Sequence, residues 1–178
     1  MMKKSKVAYH VSSIYLIPDT FFVKSGINTL VVDLDNTLDS AYTNEPRKEA
    51  YELKNRLNKL GIRLLVVSNN HLKRVKPYCD RLGVEYLADS NKYCKGKIAR
   101  WLEDKKVDLS TTLFVGDQLF TDRIYVNKLH GKLILTDPLV KKDQFFTRFV
   151  RFLDNFLRAR WLKKGILGEE IIAHKGEC

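Results

Sequence analysis

Cysteine is scarce in this 178-residue chain and poorly spaced for chemistry. Cys79, Cys94 and Cys178 form no CxxC pair, so neither a disulfide framework nor a zinc site is indicated, and a reducing cytoplasm is the simplest home. No apolar run approaches the roughly 18 residues of a membrane-spanning helix. Lys3, Lys4 and Lys6 ahead of Val7-Ala8-Tyr9-His10-Val11 come nearest to a targeting signal. His10, Ser12, Ser13 and Pro18 interrupt that run and no small-x-small cleavage pattern follows, so the segment reads as a folded lead-in. Internal repeats, low-complexity tracts and linkers are missing before residue 163. Acidic residues are in short supply: 21 Asp+Glu stand against 32 Lys+Arg, a net charge of +11. That excess favours an anionic partner (a phosphate substrate, nucleic acid or an acidic membrane face) without choosing among them. At 44% hydrophobic and 30% charged residues, the composition is that of one soluble domain with a proper core.

What is present is an alternation of apolar runs and amphipathic segments. Residues 27–34, 62–67, 84–87, 112–115 and 132–136 read as strands, four of them continuous apolar runs. Helices are expected from Pro46, with Ala50, Leu53, Leu57 and Leu60 on one face and Gly61 at the end, and over 71–82, with Val75, Cys79 and Leu82 inward. Pro77 kinks the second of these or marks its true first turn. Further helices are expected over 95–104, packing Ile98, Trp101 and Leu102, and over 119–129. Strands apolar throughout and alternating with helices imply a three-layer α/β fold, a doubly wound (Rossmann-like) parallel sheet of about five strands.

In such a sheet, ligands bind beyond the carboxyl ends of the strands. The polar residues gather there. Asp33-Leu34-Asp35-Asn36-Thr37 follows the run Leu30-Val31-Val32; with 13 Asp and 9 Thr, D-x-D-x-T should arise by chance about 0.05 times. Ser68-Asn69-Asn70 closes the second strand, Lys92 lies past the third, Gly116-Asp117 closes the fourth, and Asp122 lies five residues on. Four chain segments thus deliver carboxylates, a hydroxyl and an amine to one rim.

This set resembles the haloacid-dehalogenase (HAD) superfamily of phosphatases, most closely its capless subfamily IIIA group called YqeG-like, related to the mitochondrial phosphatidylglycerophosphate phosphatases. The resemblance rests on Val32-Asp33-Leu34-Asp35-Asn36-Thr37-Leu38, Val67-Ser68-Asn69-Asn70 and Gly116-Asp117-Gln118-Leu119-Phe120-Thr121-Asp122, and runs from about Pro18 to Leu139. It implies a phosphomonoester hydrolase with Asp33 as nucleophile, forming an aspartyl-phosphate, and Asp35 as general acid and base. Mg²⁺ is implied as cofactor, held by the Asp33 carboxylate, the Asp35 backbone carbonyl, Asp117 and Asp122, the last also able to orient Lys92. Ser68 would bind a phosphoryl oxygen and Lys92 would neutralise charge on it. Thr37, Asn69 and Asn70 are substrate-binding candidates. Relatives carry Lys-Pro where Lys92-Tyr93 stands, so Lys95 is the alternative lysine. Tyr125 and Val126 replace small residues and should alter helix packing. His71 reads as a cap or exposed residue rather than a ligand.

Only about thirty residues separate Thr37 from Ser68, and fewer separate Ser68 from Lys92. Neither interval holds a separate lid domain, which needs about 50 residues. An open site favours a large, tethered or polymeric substrate, or closure by another subunit; a lipid phosphate such as phosphatidylglycerophosphate is what the resemblance implies. The expected organisation is one capless domain over 1–162, with its catalytic core at 25–139, a basic amphipathic helix at 143–162 and a tail over 163–178. In that helix Phe145, Phe146, Phe149, Val150, Phe152, Leu153, Phe156 and Leu157 share an arc opposite Arg148, Arg151, Asn155 and Arg158. It fits either docking on the sheet or lying in an anionic membrane surface, with Trp161, Lys163 and Lys164 as anchors. Two other classes are weighed: a phospho-receiver domain, whose Asp would be Asp89, although Thr136-Asp137 stand where its lysine belongs; and a basic nucleic-acid or membrane adaptor with a vestigial fold. Basic residues are spread over many helices, so nucleic acid is neither singled out nor excluded.

Overall fold

The alternation of apolar strands and one-faced helices resolves into a single parallel sheet with helices on both sides. The structure, a computed structural model, describes residues 7–139, Arg160 and residues 169–171. In chain order the strands are β1 (Tyr9–Val11), β2 (Thr29–Val32), β3 (Arg63–Val67), β4 (Glu85–Leu87), β5 (Thr112–Gly116), β6 (Lys132–Thr136) and β7 (Glu169–Glu170). The helices are α1 (Asp19–Ser25), α2 (Lys48–Lys59), α3 (Leu72–Leu82), α4 (Lys95–Asp104) and α5 (Asp122–Lys128). The sheet order is β4-β3-β2-β5-β6-β1-β7, and every described pairing is parallel.

Period-two alternation sends successive strand residues to opposite layers. Leu30, Val32, Leu64, Val66, Leu113, Val115 and Ile134 face a core shared with Phe22 of α1, Ala50, Leu53 and Leu57 of α2, and Val75, Tyr78, Cys79 and Leu82 of α3. Val31, Leu65, Val67, Phe114, Leu133 and Leu135 face a second core with Ile98 and Leu102 of α4, Tyr125 and Val126 of α5, and Leu129 just after it. A strand buried on both sides has no polar face to show, which is why the inner strands read as unbroken apolar runs.

The sheet has two strands beyond the expected five, because β1 and β7 extend it past β6. Neither carries an apolar run, and β7 falls within the stretch expected as a tail; there Ile171 donates its amide to the His10 carbonyl at 2.8 Å and its side chain is buried. Helix boundaries also differ. Pro46 lies two residues before α2, and α5 starts at Asp122 rather than 119, because residues 118–121 form a turn that Asp122 itself closes. Pro77 is inside α3, not at its start. Gly83 ends α3 at φ +68°, its amide reaching the carbonyls of Cys79 and Asp80; a side chain there would be strained. The basic helix expected over 143–162 lies outside the described residues except for Arg160, which is helical and exposed.

Register sets the site. Val32 is level with Val66 on one side and Val115 on the other. The chain leaves β2 to β3 and β4 on one side, and returns to β5 and β6 on the other, so β2 and β5 flank the switch point. The residues just past this level, Asp33, Ser68 and Asp117, therefore emerge together at the carboxyl edge.

Candidate active site

Asp33 is the first residue beyond β2, and its amide is still paired with the Val115 carbonyl at 2.9 Å. That bond fixes its backbone between two central strands, and only 6% of the residue is exposed. Asp117 follows β5 directly and Asp122 opens α5, both buried. Carboxylate oxygens of Asp33, Asp117 and Asp122 all lie within 4.8 Å of one another. Gly116 makes this approach feasible: a Cβ there would fall 2.7 Å from the Asp122 Cβ and closer still to its carboxyl group. Asp122 is aimed by its own turn, since the Gln118 amide donates to Oδ2 at 3.0 Å.

Lys92 completes the cluster. It is 2% exposed, its ammonium donates to Asp122 Oδ1 at 2.7 Å and it is ion-paired with Asp33 Oδ1. Burial favours the neutral amine, but Asp122 and Asp33 outweigh it and hold the pKa above the ordinary lysine value. For Asp33, burial is the largest influence and pushes the pKa up to about 7; Lys92 opposes the rise while Asp122 and Asp35 add to it. Lys92 is thus the lysine brought to the carboxylates; the side chain of Lys95, the alternative, lies outside what the structure describes.

Asp35 occupies a neighbouring position with different partners. Its Oδ2 receives Asn70 Nδ2 at 3.2 Å and Ser68 Oγ at 3.5 Å, and its Oδ1 lies 3.1 Å from Arg74 Nη2. The Asp35 carboxylate is not in the three-carboxylate cluster, so its expected role toward a metal falls to its backbone carbonyl alone. Ser68, buried, also accepts the Asn70 amide at 3.0 Å. Asn69 works on the loop instead: its Oδ1 accepts the Lys92 amide at 2.8 Å and Ser90 Oγ at 3.0 Å, holding the segment that presents Lys92. Thr37 is buried, and its hydroxyl has no hydrogen-bond partner among the described residues. His71 is the N-cap residue of α3, exposed, with Nδ1 at 2.6 Å from Asp89. Asp89 follows an edge strand, is engaged with His71 and the Leu72 amide, and is not in the acidic cluster, which removes the receiver arrangement.

Asp39 and Arg74, neighbours of the site, escape sequence reasoning, and Tyr125 is read there only as altering helix packing. Tyr125, fully buried in α5, lies edge-on to Phe114 with ring centroids 5.8 Å apart, and its own ring centroid is 5.7 Å from Lys92 Nζ, so it packs beside the ammonium. Asp39 is buried behind the motif loop and accepts from Arg47 and Tyr78. Arg74 touches Asp35. A charge on the inward side of α3, next to Val75 and one turn before Tyr78, is the only sequence signal for it.

Three carboxylates form an all-oxygen, anionic donor set, the kind that suits a hard divalent cation such as Mg²⁺ better than a soft one. The raised pKa of Asp33 reflects how unfavourable its charge is in this protein-only environment.

Comparison with known proteins agrees with this geometry. The family model described as mitochondrial PGP phosphatase matches residues 4–140. The chain is 26% identical over 155 residues to the probable phosphatase YqeG of Bacillus subtilis (strain 168), covering 87% of this chain and 90% of that one. A local match, 41% identical over 58 residues, links it to phosphatidylglycerophosphate phosphatase 1, chloroplastic/mitochondrial, of Arabidopsis thaliana, covering 32% of this chain and 17% of that protein. Among solved structures, an uncharacterized protein from Listeria monocytogenes serotype 4b superposes with a TM-score of 0.52 at 16% identity, covering 78% of this chain and 99% of that one. A putative 3-deoxy-D-manno-octulosonate 8-phosphate phosphatase from Vibrio cholerae gives 0.51 at 13% identity, covering 78% and 89%. These structural likenesses bear on the fold alone. With its family model spanning most of the sequence, the chain belongs to the mitochondrial PGP phosphatase family and is a phosphomonoester hydrolase.

Proposed function

We propose that the enzyme is Mg²⁺-dependent and works through an aspartyl-phosphate on Asp33, and that its substrate is a lipid-borne phosphomonoester of the phosphatidylglycerophosphate kind. The observation that carries the chemistry is the convergence of Asp33, Asp117 and Asp122 on one point with Lys92 bridging two of them. Asp33 attacks phosphorus as the bond to the leaving oxygen breaks, and Asp35 gives that oxygen a proton. Asp35 then takes a proton from the water that cleaves the acyl phosphate, which restores both residues. Lys92 and Ser68 meet the phosphoryl oxygens, where negative charge must be accommodated. Asp33, Asp117, Asp122 and the Asp35 carbonyl would hold the Mg²⁺, which supplies neutralisation between an anionic nucleophile and an anionic phosphate.

The lipid reading draws on the family, on the Arabidopsis relative's name and on the site's openness. Between Thr37 and Ser68 lie only a loop, α2 and β3, and between Ser68 and Lys92 only α3, β4 and short loops; no lid stands over the carboxylates among the described residues. Tyr42, Leu72, Tyr93 and Phe120 are all exposed, and they come from four different segments, three loops and the first residue of α3, that follow strands at the carboxyl edge. An apolar rim around a charged centre suits a phosphate carried on a bilayer and implies peripheral contact with an anionic membrane. Among the described residues no helix is long and apolar enough to cross a membrane.

The covalent step is tested with Asp35→Asn. Loss of the group that activates water should let the phosphoenzyme accumulate as an adduct of about 80 Da, read by intact-mass spectrometry after brief exposure to substrate. Peptide mapping should place it on Asp33. An adduct on any other residue contradicts the assignment.

A further inference from the structure

Arg74 breaks the pattern of its own helix. Leu72 and Lys73, beside it in the first turn of α3, are exposed, yet the Arg74 side chain is only 11% exposed. Its guanidinium is held by two hydrogen bonds to the loop that follows β2 and lies in an ion pair, without a hydrogen bond, beside Asp35. Nη2 donates to the Ser40 carbonyl at 2.9 Å and lies 3.1 Å from Asp35 Oδ1, while Nε donates to the Ala41 carbonyl at 3.2 Å. The Tyr78 ring lies beside it, 5.3 Å from Cζ to the ring centroid. That ring is fixed in turn, because its hydroxyl donates to Asp39 Oδ2 at 3.2 Å and Asp39 is tied to the Arg47 amide and side chain at 3.0 and 3.2 Å.

The consequence falls on Asp35. The guanidinium faces Oδ1, which leaves Oδ2 toward Ser68 and Asn70, on the side where the phosphoryl group and its leaving oxygen would lie. We propose that Arg74 is a positioning residue: anchored on the Ser40 and Ala41 carbonyls, its charge attracts Asp35 Oδ1 and so presents Oδ2 to the leaving group. This rests on the reading of Asp35 as general acid and base. Arg74 does not touch substrate; it acts through the carboxylate it orients. An arginine suits the task because its planar fork of donors hydrogen-bonds two carbonyls while its charge stays beside the Asp35 carboxylate, whereas a lysine ammonium is a flexible point charge.

A residue that aims the proton donor matters in proportion to how much the leaving group needs a proton. The test therefore compares kcat/KM for two substrates, p-nitrophenyl phosphate, whose leaving group departs as a stable anion, and n-butyl phosphate, whose alkoxide must be protonated. The proteins are the full-length wild type, Arg74→Gln and Arg74→Lys. Because kcat/KM reports the first phosphoryl transfer, the later hydrolysis step does not obscure the comparison. Arg74→Gln should lose about 30- to 100-fold on the butyl ester, the scale of a misplaced catalytic group, and less than about 3-fold on the p-nitrophenyl ester. Arg74→Lys should fall between, and added guanidinium ion should restore part of the butyl ester rate to Arg74→Gln.

Equal losses on both esters would mean a structural role and overturn the proposal, as would unchanged kcat/KM on both. So would a rise in KM alone for both substrates, the mark of uniform substrate binding. Arg74→Lys carries the same comparison if Arg74→Gln does not fold. A wild type that releases phosphate from neither ester overturns the phosphatase reading itself, and this inference with it.

Discussion

Asp33 must be both buried and anionic, and these demands conflict. Burial raises its pKa from 3.8 to about 7 despite Lys92. Since the folded value lies above the unfolded one, its contribution to stability is complete below about 3.8 and is lost as pH rises through about 7. The metal-free protein should therefore lose stability between pH 5 and pH 8, each tenfold difference in proton affinity between folded and unfolded chain being worth about 1.4 kcal/mol and each kcal/mol about 2–4 °C in a chain of this length. Asp33→Asn should flatten that decline and raise the metal-free thermal midpoint at pH 8, although it abolishes turnover. Mg²⁺ should raise the wild-type midpoint more at pH 8 than at pH 5, because a bound cation favours the ionised carboxylate. A thermal-shift series across pH, with Mg²⁺ and with chelator, reads all three; a wild-type midpoint that is flat or rising from pH 5 to 8 without metal contradicts them. Asp33, Asp117 and Asp122 are legible as site residues in the sequence because each directly follows an apolar strand or its short turn. Tyr125 is not, since an aromatic residue on a helix is ordinarily core, and only its approach to Lys92 gives it a place beside the chemistry.

The loop from β2 to α2 carries both carboxylates of the proposed mechanism, and Asp39 ties it down. Its carboxylate receives the Ser40 and Arg47 amides, the Arg47 side chain and the Tyr78 hydroxyl, while the Tyr15 hydroxyl holds the Leu38 carbonyl. Asp39→Ala would leave Arg47 and Tyr78 without that acceptor. It should cost about 1–3 kcal/mol, the scale of leaving a buried group such as the Tyr78 hydroxyl without its partner, and lower kcat with it. Urea unfolding checks the first and steady-state turnover the second; a loss under about 1 kcal/mol would show that the loop holds its shape without this anchor. The strands β2, β3, β5 and β6 can be read from the chain because each is apolar on both faces. β1 and β7 cannot, since three and two residues carry too little pattern, and their pairing with β6 and with each other makes them strands. Asp39 and Arg74 are hidden for a related reason: single charged residues near a helix are normally solvated, and tertiary contact alone sets these two apart.

Among the described residues, the parallel sheet gathers the candidate site at its carboxyl edge, where exposed apolar side chains from separate segments also emerge. Tyr42 is 63% and Leu72 51% exposed, far more than a sealed pocket would allow. If this rim rests on a bilayer, charge placed there should hinder a vesicle-borne substrate and spare a soluble one. The double substitution Tyr42→Glu, Leu72→Glu should slow hydrolysis of a lipid phosphate in phosphatidylglycerol vesicles by about tenfold or more, as expected when two apolar contacts of about 1.5–3 kcal/mol each are weakened. Its rate on p-nitrophenyl phosphate should stay within about twofold. Equal rates on vesicles for wild type and variant would remove the rim from substrate recognition. The order of strands and the height at which they end explain why four sequence motifs far apart in the chain make one site, and that much is visible from the alternation of strands and helices. Intervals too short for a lid are visible in the sequence too, and among the described residues only a loop, α2 and β3, and α3, β4 and short loops, fill them.

One experiment bears on the core of the account: phosphate release from p-nitrophenyl phosphate by the wild type, Asp33→Asn and Asp117→Asn, each with Mg²⁺ and with chelator. Release by the wild type only when Mg²⁺ is present, none by Asp33→Asn, and weak release by Asp117→Asn that needs far more Mg²⁺ is the predicted pattern. Undiminished release by Asp33→Asn, or by wild type in chelator, contradicts it.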